Sequence, residues 1–403
     1  MRWGPPGTEG VNRPEEDKRD AQVRLKICHL TTVHGHNDTR LTQQCEAAVK
    51  SGYEVHVIAH NVPDQVVNGI TYHGVEPFQA SHKRWVHDTS FIFTAKGLEL
   101  DANIYHLHNV ELFPAVEWIS RHDKAVILDL HEDYLQDALP RIELTGLGQI
   151  LRKFWFRSAE RRALKWIDLI ISNNCRIVTA YQKRGYSALA VNDFPRVADL
   201  RQRKFDPSNC SGVFCYVGTL STKLGILELI TAAAAARIKL LLVGSFDSVH
   251  SRKTAMALPG WSRVEHIQDF DFDIVDQVLG RSCAGILLEH PAGVDAAVEP
   301  EQLGRYLAAG IPIIVADKEG WKQVVEANGC GRVVGRGNPA SIAEAFRWFK
   351  DNPDGVREMA DAAKQLALEN YTWELESRKL LESYRQIFRA RQLEERLQTA
   401  KVR

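Results

Sequence analysis

From Val23 onward, short apolar runs rich in β-branched residues alternate with segments whose apolar positions recur every three or four residues. VRLKICHL predicts a strand, RLTQQCEAAVKSG an amphipathic helix closed by Gly52, and YEVHVIAH a second strand. ITYHGVE, NIYHLH, KAVILDL, DLIIS and ALAVND repeat the strand pattern, with helical or loop segments between them. Runs that are apolar on both faces predict a parallel sheet covered by helices on both sides. After VNDFP the polar stretch RVADLRQRKFDPSNCSG predicts a linker. The alternation then restarts with VFCYV, the Ala-rich helix ILELITAAAAA, KLLLVG, VEHI, AGILLE, IPIIVA and GRVV. The last part, from SIAEAFRWFK to ESYRQIFRARQLEERL, reads as helical with a break at Tyr371-Thr372-Trp373.

The expected fold class is therefore α/β, with two Rossmann-like parallel-sheet domains. Residues 1–23 mix both charge signs with Gly and Pro and carry no apolar core of a targeting segment, so they are read as a disordered tail. Residues 24–195 form the first domain and 196–370 the second. Residues 371–403 form closing helices that return to the first. In open α/β sheets ligands bind beyond the carboxyl ends of the strands, so two such domains would face one cleft and the residues just after each strand matter most.

Composition changes this picture little. Of 403 residues, 44% are hydrophobic and 25% charged, as in ordinary globular proteins. Lys plus Arg and Asp plus Glu each total 51, and a net charge of zero argues against nucleic acid as a partner. No apolar run approaches the roughly 20 residues of a membrane span. The seven cysteines are scattered without a C-x-x-C, which speaks for a reducing, cytoplasmic setting and against a disulfide framework or a zinc site.

Candidate chemistry collects at strand exits. No G-x-G-x-x-G follows a strand, and no P-loop or H-E-x-x-H occurs. The first strand leads into His29-Leu30-Thr31-Thr32-Val33-His34-Gly35-His36-Asn37-Asp38-Thr39-Arg40, a loop richer in His and Arg than the helix cap that Asn37 or Asp38 would supply. Another exit carries His131-Glu132-Asp133, and a third carries His106, His108, Asn109 and Glu111. These groups come from separate loops without ligand spacing, so no metal is expected. The helix read over 151–166 places Arg152, Lys153, Arg157, Arg161, Arg162 and Lys165 among four aromatics. That suits an anionic membrane surface or nucleic acid, or a surface helix with its rings turned inward. In the second domain Gly218 to Gly225 forms a turn that can present N–H groups to phosphate.

These segments together resemble the family-4 glycosyltransferases of the GT-B fold. KICHLTTVHGHNDTR with SGYEVHVIA, then NIYHLHNVEL, AVILDLHEDY, VNDFP, YVGTLS, EHP, PEQLGRYLAAGIPIIVAD and NYTWELESRKLLESY follow the family's order from about residue 24 to 388. The resemblance implies transfer of a sugar from a nucleotide-sugar donor, UDP-linked on the family average, with retention of configuration and without a cofactor or metal. It implies that the nucleotide binds the second domain and the acceptor the first. His131 falls on the histidine that contacts the donor sugar, and Glu132 is taken with it as catalytic. Gly35, Gly218, Thr219, Lys223, Glu289, Glu301, Leu303 and Arg305 fall on the donor side. His34, Asp38, Arg40 and His108 fall on the acceptor side.

Four positions depart from the family pattern. Its turn reads Gly-Arg-Leu-Ser-x-x-Lys-Gly, whereas here Thr219 and Leu224 stand at the Arg and Lys positions, with Lys223 one residue earlier. The Glu preceding the Tyr of the Ala-Ala-Gly segment is Arg305, and its partner Glu is Ala297. Lys223 and Arg305 are expected to serve the diphosphate instead. The alternative reading is a catalytically silent GT-B protein that binds a glycan or a partner. Peripheral contact with the inner membrane face, and a homodimer, stay open.

Overall fold

The computed structural model describes residues 24–32, 38–76, 85–130, 147–202, 205, 212–268, 272–288 and 301–402. Two sheets organise the chain. The first joins β1 (Lys26–Thr31), β2 (Glu54–His60), β3 (Gln65–Val67), β4 (Ile70–Val75), β5 (Ile104–Leu107), β6 (Ala125–Asp129), β7 (Leu169–Ser172) and β8 (Ala188–Ala190) in the order β3-β4-β2-β1-β5-β6-β7-β8. The second joins β9 (Val213–Val217), β10 (Lys239–Val243), β11 (Val264–Ile267), β12 (Ala284–Leu287), β13 (Ile313–Ala316) and β14 (Gly331–Val334) in the order β11-β10-β9-β12-β13-β14.

Pairing in the second sheet is parallel throughout. In the first sheet β3 pairs antiparallel with β4. That hairpin turns at Asn68-Gly69, both with positive φ, which is the geometry a two-residue Asn-Gly turn supplies. Central strands are buried almost end to end, as the apolar runs require when helices cover both faces.

The helices are α1 (Thr39–Lys50), α2 (Trp85–Glu99), α3 (Phe113–Ser120), α4 (Leu147–Ala163), α5 (Cys175–Lys183), α6 (Val197–Gln202), α7 (Ile226–Ala236), α8 (Val249–Met256), α9 (Phe272–Gly280), α10 (Glu301–Ala308), α11 (Glu319–Asn328), α12 (Pro339–Asp351), α13 (Pro353–Asn370) and α14 (Trp373–Val402). Helix α6 lies inside the stretch read as a linker. It forms because Leu200 is buried in the second unit's core and the Glu374 carboxylate accepts from the Val197 N–H at 3.0 Å, at the helix's first turn.

By contact density the chain divides into two compact units. One holds the chain to Asp129, Ile142–Leu169 and Ser383–Arg403; the other holds Leu130–Arg141 and Ile170–Glu382. In the second unit, strand alternation sends Phe214, Leu240, Leu242, Ile286 and Ile314 into a core shared with α7 and α12. Their neighbours Cys215, Val217, Leu241, Leu287 and Ile313 enter another core, shared with α9, α10, α11 and α13. In the first unit the late residues of α14 come home to the sheet: the Tyr384 hydroxyl pairs with His106 Nδ1 at 2.8 Å, and Arg391 binds Asp168 at 2.8 and 3.0 Å. Among the described residues no helix is long and apolar enough to cross a membrane.

Candidate active site

In the first unit the parallel register sets His29 beside His106, and His108 follows two residues on, so all three rings share one face of the sheet. Ring centroids lie 4.6 to 5.2 Å apart, and His29 Nδ1 pairs with His108 Nε2 at 2.9 Å. Asp129, the last residue of β6, lies 3.8 Å from both His106 Nε2 and His108 Nδ1. Helix α1 covers this face and delivers Arg40, whose guanidinium grips Asp129 through a two-bond fork at 3.0 and 2.9 Å. Gln44, one turn on, donates to the same carboxylate at 2.8 Å.

All of these groups are buried. Burial, reinforced by the nearby His106, holds the His29 pKa well below the ordinary histidine value, so its ring is neutral. His29, His106 and His108 offer ligand atoms within 4.8 Å of one another, a spacing open to a metal ion. The adjacent carboxylate is already neutralised by Arg40.

The structure thus places Arg40 and His108 together on Asp129, while Asp38 caps α1 by accepting from the Leu41 N–H at 2.8 Å. Asp129 escaped the sequence reading because its partner Arg40 is 89 residues away; a carboxylate at a strand exit was the available signal. His34, Gly35, His131, Glu132 and Glu289 lie outside the described residues.

In the second unit the site grows from the exit of β9. Two side chains of α10 hold the last strand residue: the Tyr306 hydroxyl accepts from the Val217 N–H at 2.9 Å, and the Gln302 amide donates to the Val217 carbonyl at 2.7 Å. Tyr306 also donates to the Ile286 carbonyl of β12, and its ring lies over Gly285, where a Cβ would stand 2.4 Å from it. The turn continues through Gly218 at φ 147, whose N–H donates to the Val243 carbonyl. Gly244, at φ 131, answers from the next strand: a Cβ there would sit 2.1 Å from the Gly218 carbonyl oxygen, so the two exits approach as only glycine permits.

Thr219 is exposed, and its carbonyl accepts from the Tyr216 hydroxyl. Ser221 accepts from the Lys223 N–H and donates to Asp247 at 2.5 Å. Burial pushes the Asp247 pKa up, but hydrogen bonds from Ser221, Ser251 and Ser248, together with the Lys223 ammonium, outweigh it and hold the carboxylate below its usual range. Lys223 itself is exposed. It lines a pocket with Gly225, Glu228, Leu288, Gly335 and Arg336, at the carboxyl ends of β12, β13 and β14. Two cations and several glycine backbones at strand ends make a surface suited to an anion.

Of the other donor-side residues, Leu303 is fully enclosed in the core under α10, and Arg305 is half-buried on the same helix. Glu301 opens α10, and its side chain is not among the described ones. Gln302, Asp247 and Arg336 were missed in the sequence, and Tyr306 was read there only as part of the Ala-Ala-Gly segment. Gln302, Tyr306 and Asp247 act on backbone and side chains distant in the chain.

Two family models match in chain order: Glycosyltransferase Family 4 over residues 38–191, and Glycosyl transferases group 1 over residues 201–366. No curated protein matches the sequence. Among solved structures, a sucrose-phosphate synthase from Thermosynechococcus elongatus is 18% identical, covers 91% of this chain and 100% of its own, and has a TM-score of 0.57. A glycosyltransferase from Rickettsia africae is 13% identical over 90% and 98% of the two chains, at a TM-score of 0.57. HepE from Anabaena, solved in complex with UDP-glucose, is 15% identical over 89% and 99%, at a TM-score of 0.59. Identities this low make the structural likeness one of fold.

Proposed function

Since the chain belongs to the family-4 glycosyltransferases of the GT-B fold, we propose that it transfers a hexosyl group from a UDP-linked donor to a hydroxyl of a glycan, lipid or small molecule, with retention of configuration and without a metal. The observation that carries this reading is the β9 exit. Gln302 and Tyr306 hold Val217, the residue from which the Gly218–Thr219 turn leaves the strand, and Lys223 stands just ahead of α7. The departing nucleoside diphosphate gains negative charge, and donors fixed in advance at that point stabilise it most. Lys223 and Arg305 take the place of the family's Arg and Lys, and the amino end of α7 adds its dipole. The UDP-glucose in the HepE complex supports a UDP-linked donor.

In this reading His131 contacts the donor sugar beside the reacting carbon, and the first unit supplies the acceptor side. His131→Ala should lower turnover with nucleotide affinity nearly unchanged, measured by transfer assay and by calorimetry with UDP. A variant that loses its fold without a separate kinetic effect would make the histidine structural.

A further inference from the structure

The first unit carries a surface to which the proposed transfer reaction assigns no role. Helices α2, α3 and α4 pack in succession, with the rings of Phe113 and Phe156 5.4 Å apart between α3 and α4. Each turns a large ring to solvent: Phe91 is 62% exposed, Trp118 60% and Phe154 74%. Burying such rings is ordinarily worth a few kcal/mol each, so three of them left in water on neighbouring helices call for a covering surface.

The charge around them is one-sided. The sequence of α4 holds five cations and one carboxylate, in a chain whose net charge is zero. That carboxylate, Glu160, is buried, whereas Arg157, Arg161, Arg162 and, just beyond the helix, Lys165 are exposed. Phe154, Arg157 and Arg161 follow one another at i, i+3 and i+7 and so share one helical face. Arg121 after α3 lies 5.9 Å over the Trp166 ring and pairs with Glu117.

We propose that this face of α2, α3 and α4 docks on an anionic lipid bilayer. Aromatic rings settle at the headgroup boundary, and each arginine or lysine near an anionic leaflet strengthens attachment about fivefold. No described helix spans a membrane, so the attachment is peripheral. Exposed rings between cations would also stack single-stranded nucleic acid. Rings set one on each of three helices match an apolar layer better than a run of stacked bases. The inference stands apart from the proposed transfer reaction.

The test is cosedimentation of the full chain with phosphatidylcholine vesicles, with and without phosphatidylglycerol. At about 0.1 M salt the chain should bind only the anionic vesicles, and at about 1 M salt, where charges are screened within roughly 3 Å, it should release them. The triple variant Arg157→Ser, Arg161→Ser, Arg162→Ser should lose affinity on the order of 100-fold. Phe154→Ser with Trp118→Ser should weaken binding to the anionic vesicles at about 0.1 M salt. All five positions are exposed, so circular dichroism should show wild-type folding. Absence of binding to anionic vesicles would overturn the proposal. So would wild-type vesicle binding by both variants, binding to an oligonucleotide in place of vesicles, or a variant-sensitive dimer in size-exclusion chromatography without vesicle binding.

Discussion

His29 lies in the interior of the first sheet with His106 and His108 against it, and the fold stabilises its neutral ring. A histidine whose folded pKa lies below its unfolded value of 6.5 contributes full stability above that value. As pH falls below 6.5 the unfolded chain takes up a proton that the folded chain refuses, and stability drops by about 1.4 kcal/mol per pH unit. The urea midpoint of the wild type should therefore fall more steeply between pH 6.5 and 5 than that of His29→Gln; parallel curves would show that the ring titrates normally in the fold. At this scale the sequence conveyed what is local. Asp38 as a helix cap and the cluster of histidines at strand exits were visible. The Arg40–Asp129 fork was not, because it depends on how α1 lies across the sheet.

Element by element, strand positions were the most legible feature, since a strand buried on both faces writes a continuous apolar run into the chain. The Asn68-Gly69 hairpin carried its own signature, although β3 is short enough and exposed enough to pass for loop. Helix α6 was hidden, because its stability comes from Glu374 and the core around Leu200. The same dependence on distant partners governs α10. Its Tyr306 hydroxyl satisfies the backbone N–H of Val217, so Tyr306→Phe leaves a buried donor unpaired and should cost about 1–3 kcal/mol. Thermal unfolding would report that loss. Binding of UDP should weaken along with it, because the Gly218–Thr219 turn hangs from Val217. A variant with reduced stability and wild-type UDP affinity would detach the turn from the binding site.

For the molecule as a whole, two rounds of strand–helix alternation and a helical end foretold two parallel sheets and a long closing helix. That helix was expected to return to the first domain, and its late residues do so: Tyr384 and Arg391 meet His106 and Asp168 through contacts spanning more than 200 residues. At this scale the proposed function has Lys223 and Arg305 standing in for the family's cations, a reading that is tested on the whole chain. The decisive measurement is calorimetric titration of the full chain with UDP, GDP, ADP and dTDP, on wild type and on the double variant Lys223→Ala, Arg305→Ala. The expected result is binding of UDP by the wild type, and a loss in the variant that is larger for UDP than for uridine. Equal UDP affinity in both proteins, or no nucleotide bound by the wild type, would contradict the account.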